Sequence, residues 1–155
     1  MHSPALSLSK PELLACCGSH AWAERMARLQ PFISAEQMLE AADRVWWELT
    51  PTDWLEAFSA HPRIGEKGDA VASAEQSGVR DAAQDILTRI MGGNRVYEQR
   101  FGYIYIVCAS GKSATEMIEI LESRLRNDKE TELRIAAEQQ RQITRLRLEK
   151  WLISR

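Results

Sequence analysis

Proton-transfer chemistry needs a titratable side chain held rigidly, and of the three histidines in this chain only His61 has surroundings that suit the task. His2 lies at the N-terminus and His20 opens a predicted helix, whereas His61 stands between an aromatic-rich helical stretch and Pro62. An imidazole there is held by a stiff backbone and exchanges a proton near neutral pH. A histidine beside a proline also serves to fix a loop by hydrogen bonding, and residue types alone do not separate the two roles. Glu75 has the same double character. Its carboxylate is an acid–base partner for a histidine, yet two residues after Ser73 it also complements a helix N-terminal dipole, with Gln76 closing a capping box. In Arg145-Leu146-Arg147-Leu148 successive helical side chains turn by about 100°. One arginine is therefore expected to face solvent while the other leans on the apolar edge and offers a planar fork of donors to a carboxylate.

Other chemistries lack their motifs. There is no His-Glu-x-x-His or other pair of histidines at helical spacing, so no metal is expected. Ser110-Gly111-Lys112-Ser113 has phosphate-loop residue types but no upstream glycine, and no dinucleotide fingerprint is present. Cys16, Cys17 and Cys108 fit neither a disulfide framework nor a Cys-x-x-Cys pair and are expected to be reduced, buried thiols. Twenty Lys and Arg against 22 Asp and Glu give a net charge of -2, which does not force the basic face of a nucleic-acid binder. The longest apolar stretches, such as Tyr103 to Ala109, are too short to cross a bilayer, and Met1-His2-Ser3-Pro4 does not open a signal sequence. The expectation is a cytoplasmic protein that binds neither nucleic acid nor membrane.

The elements that must position these residues read as helices. With 155 residues, 45% hydrophobic, the chain is long enough for one globular domain with its own core. Helix starts are predicted at Ser9, with Pro11 and Glu12 behind it, and at Ser19, Ser34, Thr50, Ser73, Ser113 and Asp128. Gly18 is expected to close the first helix, and Trp22, Met26 and Leu29 to form the apolar face of the second. A stripe from Val79 to Ile90 is expected to stop at Gly92-Gly93, with Asn94 capping a short helix through Arg100. Phe101 to Ala109 is aromatic and β-branched but has no partner strand, so it reads as a buried extended segment. The last helix is expected to bury Leu133, Ala136, Ile143, Leu146 and Trp151. The fold class is all-α, a single domain over residues 1–155, with seven to nine helices and one buried extended segment.

His61-Pro62-Arg63-Ile64-Gly65-Glu66, followed by Glu75-Gln76 and by Phe101-Gly102-Tyr103-Ile104-Tyr105-Ile106-Val107, resembles the 2-oxo-4-hydroxy-4-carboxy-5-ureidoimidazoline (OHCU) decarboxylases of urate degradation. The resemblance runs from Pro31-Phe32 through Arg124-Leu125-Arg126-Asn127 to Ile143-Thr144-Arg145-Leu146-Arg147-Leu148. Any one of these motifs is weak, but the ordered set is specific. The resemblance implies an all-helical, usually dimeric enzyme that uses no cofactor and forms (S)-allantoin from OHCU. By motif, the catalytic histidine falls on His61 and the carboxylate on Glu75. Substrate contacts fall on Pro62, on Ala72, Ser73, Ala74, Glu75 and Gln76, on Val107, Cys108, Ala109, Ser110 and Gly111, and on Arg147, with Arg145 its rival. The chain ends Ile153-Ser154-Arg155, without a peroxisomal tripeptide. Two other readings keep the same residues: a helical interaction module without catalysis, and a hydrolase of a related ureido or imidazolone ring.

Overall fold

Hydroxyl and carboxylate caps set the helix starts in the computed structural model, which describes residues 5–63 and 80–155. Among the described residues there are seven helices and no sheet, so the fold is all-α. They are α1 (Lys10–Cys16), α2 (His20–Leu29), α3 (Ala35–Glu48), α4 (Pro51–Ser59), α5 (Arg80–Phe101), α6 (Ala114–Arg124) and α7 (Lys129–Ser154). Ser9, Thr50 and Ser113 each form a reciprocal capping box with Glu12, Asp53 and Glu116. Ser19 and Ser34 cap through the hydroxyl alone, and at the start of α3 the Gln37 side chain instead accepts from the Ile33 amide at 2.7 Å. Asp128 accepts from the Thr131 amide at 2.7 Å, as expected for the last helix. The start at Ser73 lies outside the described residues.

The chain packs as two compact units, one made of Met1–Ala60 with Ala137–Arg155, the other of His61–Ala136. In the first, buried tryptophans are satisfied through their indole N–H groups, Trp22 donating to the Ala42 carbonyl, Trp46 to Ala137 and Trp54 to Trp46. Such residues bury a large apolar body only where the polar tip finds a partner. Leu6 and Phe32 form an isolated antiparallel bridge that ties the N-terminal strap to the loop before α3. Cys16 and Cys17 are buried free thiols, and burial pushes both up to about 11. Helix α1 stops at Cys16, where Cys17 turns extended, so Gly18 does not close it. Gly18 instead allows close packing, since a Cβ there would meet the Ala60 Cβ at 2.5 Å. Leu29 is 44% exposed rather than part of the buried face of α2.

In the second unit the expected break at Gly92-Gly93 does not occur. Helix α5 runs unbroken for 22 residues and ends before Gly102, whose φ of 85° is the left-handed conformation that favours glycine. Gly93 is there for proximity, because a Cβ on it would lie 2.5 Å from Leu121 Cδ2. Asn94 is accordingly a buried mid-helix residue and not a cap. Gly92 has open space around it. Gly92→Ala is therefore expected to stabilise the protein by about 0.5–1 kcal/mol. Gly93→Ala, which must push Leu121 into its packed neighbours, should cost about 1–3 kcal/mol in urea denaturation. Equal effects of the two substitutions would contradict this packing.

After α5 the chain leaves helix and buries Tyr105, Ile106, Val107 and Cys108 before α6, as expected of the extended segment. Tyr97, Tyr105, Val107 and Leu121 form the core of this unit, with ring centroids of Tyr97 and Tyr105 at 5.4 Å. The buried face of α7 departs from expectation. Ala136 is on it, but its other members are Glu132, Ala137, Gln140, Thr144 and Leu148, while Leu133, Ile143, Leu146 and Trp151 are half-buried. Polar residues can occupy that face because they meet partners there, Gln140 donating to the Thr144 hydroxyl at 3.0 Å and Glu132 joining the ion pair described below.

Candidate active site

His61 is the second residue beyond α4, half-buried, and Pro62 and Arg63 after it are exposed. Arg63 anchors this strip to α5 through a two-pronged ion pair, Nε to Glu98 Oε2 at 2.7 Å and Nη2 to Glu98 Oε1 at 2.8 Å. Planar donors matched to both carboxylate oxygens hold orientation better than a single bond. The Arg63 guanidinium also holds the Glu98 carboxyl below its ordinary pKa. The backbone that carries His61 is thus tied down two residues further on. Ala72, Ser73, Ala74, Glu75 and Gln76 lie outside the described residues.

The segment Val107–Gly111 belongs to the same unit as His61 and Pro62. Val107 and Cys108 are buried, whereas Ala109, Ser110 and Gly111 are exposed. Lys112 N–H donates to the Ala109 carbonyl at 3.0 Å and closes a turn in which Gly111 has a φ of 75°. The Lys112 ammonium donates to the Cys108 carbonyl at 2.8 Å. One residue before the segment, the Ile106 carbonyl accepts from Arg124 Nη1 at 2.6 Å.

Arg124 is the centre of a buried polar network that the sequence analysis missed. Its guanidinium donates to Glu132 Oε2 through Nε at 2.8 Å and Nη2 at 2.5 Å, with the side chains 5% and 0% exposed. Tyr97 donates its hydroxyl to the same Glu132 oxygen, and Asn127 donates to the other at 3.1 Å. Arg124 also lies over the Tyr105 ring, 4.8 Å from its centroid. Burial is the largest single influence and opposes the charge on Arg124, but the hydrogen bonds to Glu132 together with the charge interactions with Tyr97, Glu132 and Tyr105 outweigh it and hold its pKa above the ordinary value. Burial likewise raises the Tyr97 phenol and pushes Tyr105 up to about 12, so both hydroxyls stay protonated donors. The Tyr105 hydroxyl uses its proton on the Met117 carbonyl, at 3.1 Å. A signal for the network was present in the sequence: Arg124 falls three residues after Leu121, and Glu132 four before Ala136, each on a core-facing register.

Arg147 is in the first unit, half-buried, and donates to the Ala15 carbonyl at 3.2 Å, at the C-terminal end of α1 where unpaired carbonyls gather. It lines an open cleft of about 560 Å³ with Glu12, Cys16, Lys150 and Trp151. Arg145 is the exposed arginine of the pair, 3.9 Å from Asp43 and 4.0 Å from Glu149. The division into one solvent-facing and one leaning arginine thus follows the expectation. No helix among the described residues is long and apolar enough to cross a membrane.

Comparison with known proteins covers the chain almost end to end. The chain is 35% identical over 164 residues to the Arabidopsis thaliana uric acid degradation bifunctional protein TTL, covering 94% of this chain and 48% of that protein. It is 26% identical to the 2-oxo-4-hydroxy-4-carboxy-5-ureidoimidazoline decarboxylase of Haloferax volcanii, over 81% of this chain and 77% of that one. It spans about half of the Arabidopsis protein and 26% of the Bacillus subtilis bifunctional protein PucL, to which it is 30% identical. Among solved structures, an OHCU decarboxylase crystallised in the presence of (S)-allantoin superposes with a TM-score of 0.81 at 35% identity, over 93% of this chain and 98% of that one. A second, of (S)-allantoin synthase, shares the fold at 20% identity with a TM-score of 0.69. The sequence model of OHCU decarboxylase matches residues 9–149, a span that holds His61, the Val107–Gly111 turn and Arg147 alike, and the chain belongs to that family.

Proposed function

We propose that this chain is a carboxy-lyase that converts OHCU to (S)-allantoin and CO2 without a cofactor. The observation that carries the reading is the near full-length correspondence with the OHCU decarboxylase structure obtained with (S)-allantoin. The substrate's chemistry agrees with it. Decarboxylation leaves an electron pair on the carbon that lost CO2, and many decarboxylases delocalise it on a cofactor. The imidazoline ring of OHCU accepts that pair through its own C=N and C=O groups. The protein then has to orient the carboxylate, stabilise developing charge and deliver one proton to one face.

In this reading His61 and Glu75 hold the substrate hydroxyl so that the carboxylate stands perpendicular to the ring, and His61 donates the proton. Pro62, the residues from Ala72 to Gln76 and the segment from Val107 to Gly111 shape the pocket, with backbone donors around Ser110 and Gly111 binding ring or ureido oxygens. Arg147 is assigned to the substrate by its motif, as a cation of the kind that pairs with a carboxylate. The family resemblance also supports a homodimer, read directly by light scattering after size exclusion, and the short apolar stretches of the sequence support a cytoplasmic location.

Freshly generated OHCU followed by circular dichroism tests the reaction. With protein, CO2 is released and the signal of (S)-allantoin is expected, whereas spontaneous decay should give racemic product. Ring opening without CO2 release, or decay unchanged in rate and chirality, overturns the assignment.

A further inference from the structure

We propose that Arg124 and Lys112 are positioning residues for the reaction, holding the backbone of Val107–Gly111 in the geometry that binds substrate; the inference rests on the functional reading above. Val107–Gly111 lies in a non-helical stretch between α5 and α6, so it lacks the regular ladder of backbone bonds that fixes a helix. Two cations stand in for that ladder. Arg124 takes the Ile106 carbonyl at 2.6 Å, and Lys112 takes the Cys108 carbonyl at 2.8 Å.

The two anchors differ in how firmly they are themselves held. Arg124 is 4% exposed and is locked by Glu132 on Nε and Nη2, which leaves Nη1 aimed at Ile106. Glu132 is fixed in turn by the Tyr97 hydroxyl and by Asn127. Only a guanidinium offers separate nitrogens to a carboxylate and a carbonyl in one plane, which a lysine cannot reproduce. Lys112 follows the Gly111 turn and reaches back over it, so it closes the exposed end of the segment. Carbonyls 106, 108 and 109 are thus all taken by the protein's own donors, which holds the backbone on both sides of the buried part of the segment.

The arrangement makes a kinetic prediction that a role in folding alone does not. A variant that merely unfolds a fraction of the protein lowers kcat in proportion and leaves KM unchanged. Loosening the donors of the segment changes KM as well, because substrate meets a site whose donors are no longer set. Arg124→Lys keeps the charge opposite Glu132 but loses the fork. We expect KM for OHCU to rise and kcat/KM to fall by about 10- to 100-fold, the scale on which small misplacements act. The allantoin formed should also lose part of its (S) excess, as product arises outside a well-set site. Lys112→Met removes the second anchor without touching the buried ion pair. A KM rise of roughly threefold to tenfold is expected, the scale of one hydrogen bond.

Both variants are measured beside the native protein by the chirality-resolved decay assay, with folded fraction read by near-ultraviolet circular dichroism. If Arg124→Lys does not fold, Lys112→Met decides. Native KM and native (S) excess in the folded variants overturn the positioning role alone. A native protein that leaves the product racemic overturns the functional reading and the positioning role together.

Discussion

Replacing His61 by Asn is expected to lower enzymatic formation of (S)-allantoin by about 10²- to 10⁴-fold, the contribution typical of a positioned acid or base. Asparagine keeps the side chain short, planar and capable of hydrogen bonding, so it preserves most of what a purely structural histidine would do. It cannot deliver a proton. The local backbone should survive the change, since the anchor between Arg63 and Glu98 involves neither His61 nor its peptide groups. Residual decay is expected to give increasingly racemic allantoin as the spontaneous route takes over. Near-native turnover with intact (S) excess would remove His61 from the mechanism and return it to the role of a loop-fixing residue. Glu75→Gln in the same assay reads the partner carboxylate, and a comparable loss is expected if the two act on one substrate hydroxyl.

The largest effect on stability is expected at Glu132. Glu132→Leu strands the Arg124 guanidinium in an interior where both side chains are almost wholly withdrawn from water, and removes the acceptor for Tyr97 and Asn127. Breaking one partner of such a pair typically costs about 3–5 kcal/mol, because the remaining charge is left desolvated and uncompensated. Urea denaturation should show this loss. The double variant Arg124→Met with Glu132→Leu should recover most of it, since replacing a whole buried pair by apolar residues is often neutral. A single variant within 1 kcal/mol of native would mean that water or another group compensates Arg124. The comparison also isolates function from fold, because a recovered double variant still lacks the Ile106 anchor and should retain a raised KM.

Local signals were legible where a residue and its partner lie a few positions apart. Ser9 with Glu12, Thr50 with Asp53 and Ser113 with Glu116 fix their helix starts through contacts that a linear pattern contains. Gly92-Gly93 misled for the same reason. A glycine pair has the composition of a helix end, but Gly93 is small because Leu121, 28 positions later, packs against it. The face of α7 was misplaced because Glu132, Gln140 and Thr144 look solvent-facing until their partners are known. Hydropathy assigns a charge to the outside by default, and only a counter-charge brought in by folding reverses that cost.

The sequence by itself determined the class of the fold, the buried non-helical stretch around Tyr105 to Cys108, and the ordered motifs that join this chain to the OHCU decarboxylases. Those properties rest on period, caps and residue order, which survive without a third dimension. The tertiary structure alone decided how the second unit is held. The guanidinium of Arg124, the carboxylate of Glu132 and the phenol of Tyr97 come from three separate helices, and they meet around a backbone carbonyl that no pattern marks. Each is costly to bury alone, and their mutual satisfaction is a property of the folded arrangement rather than of any segment.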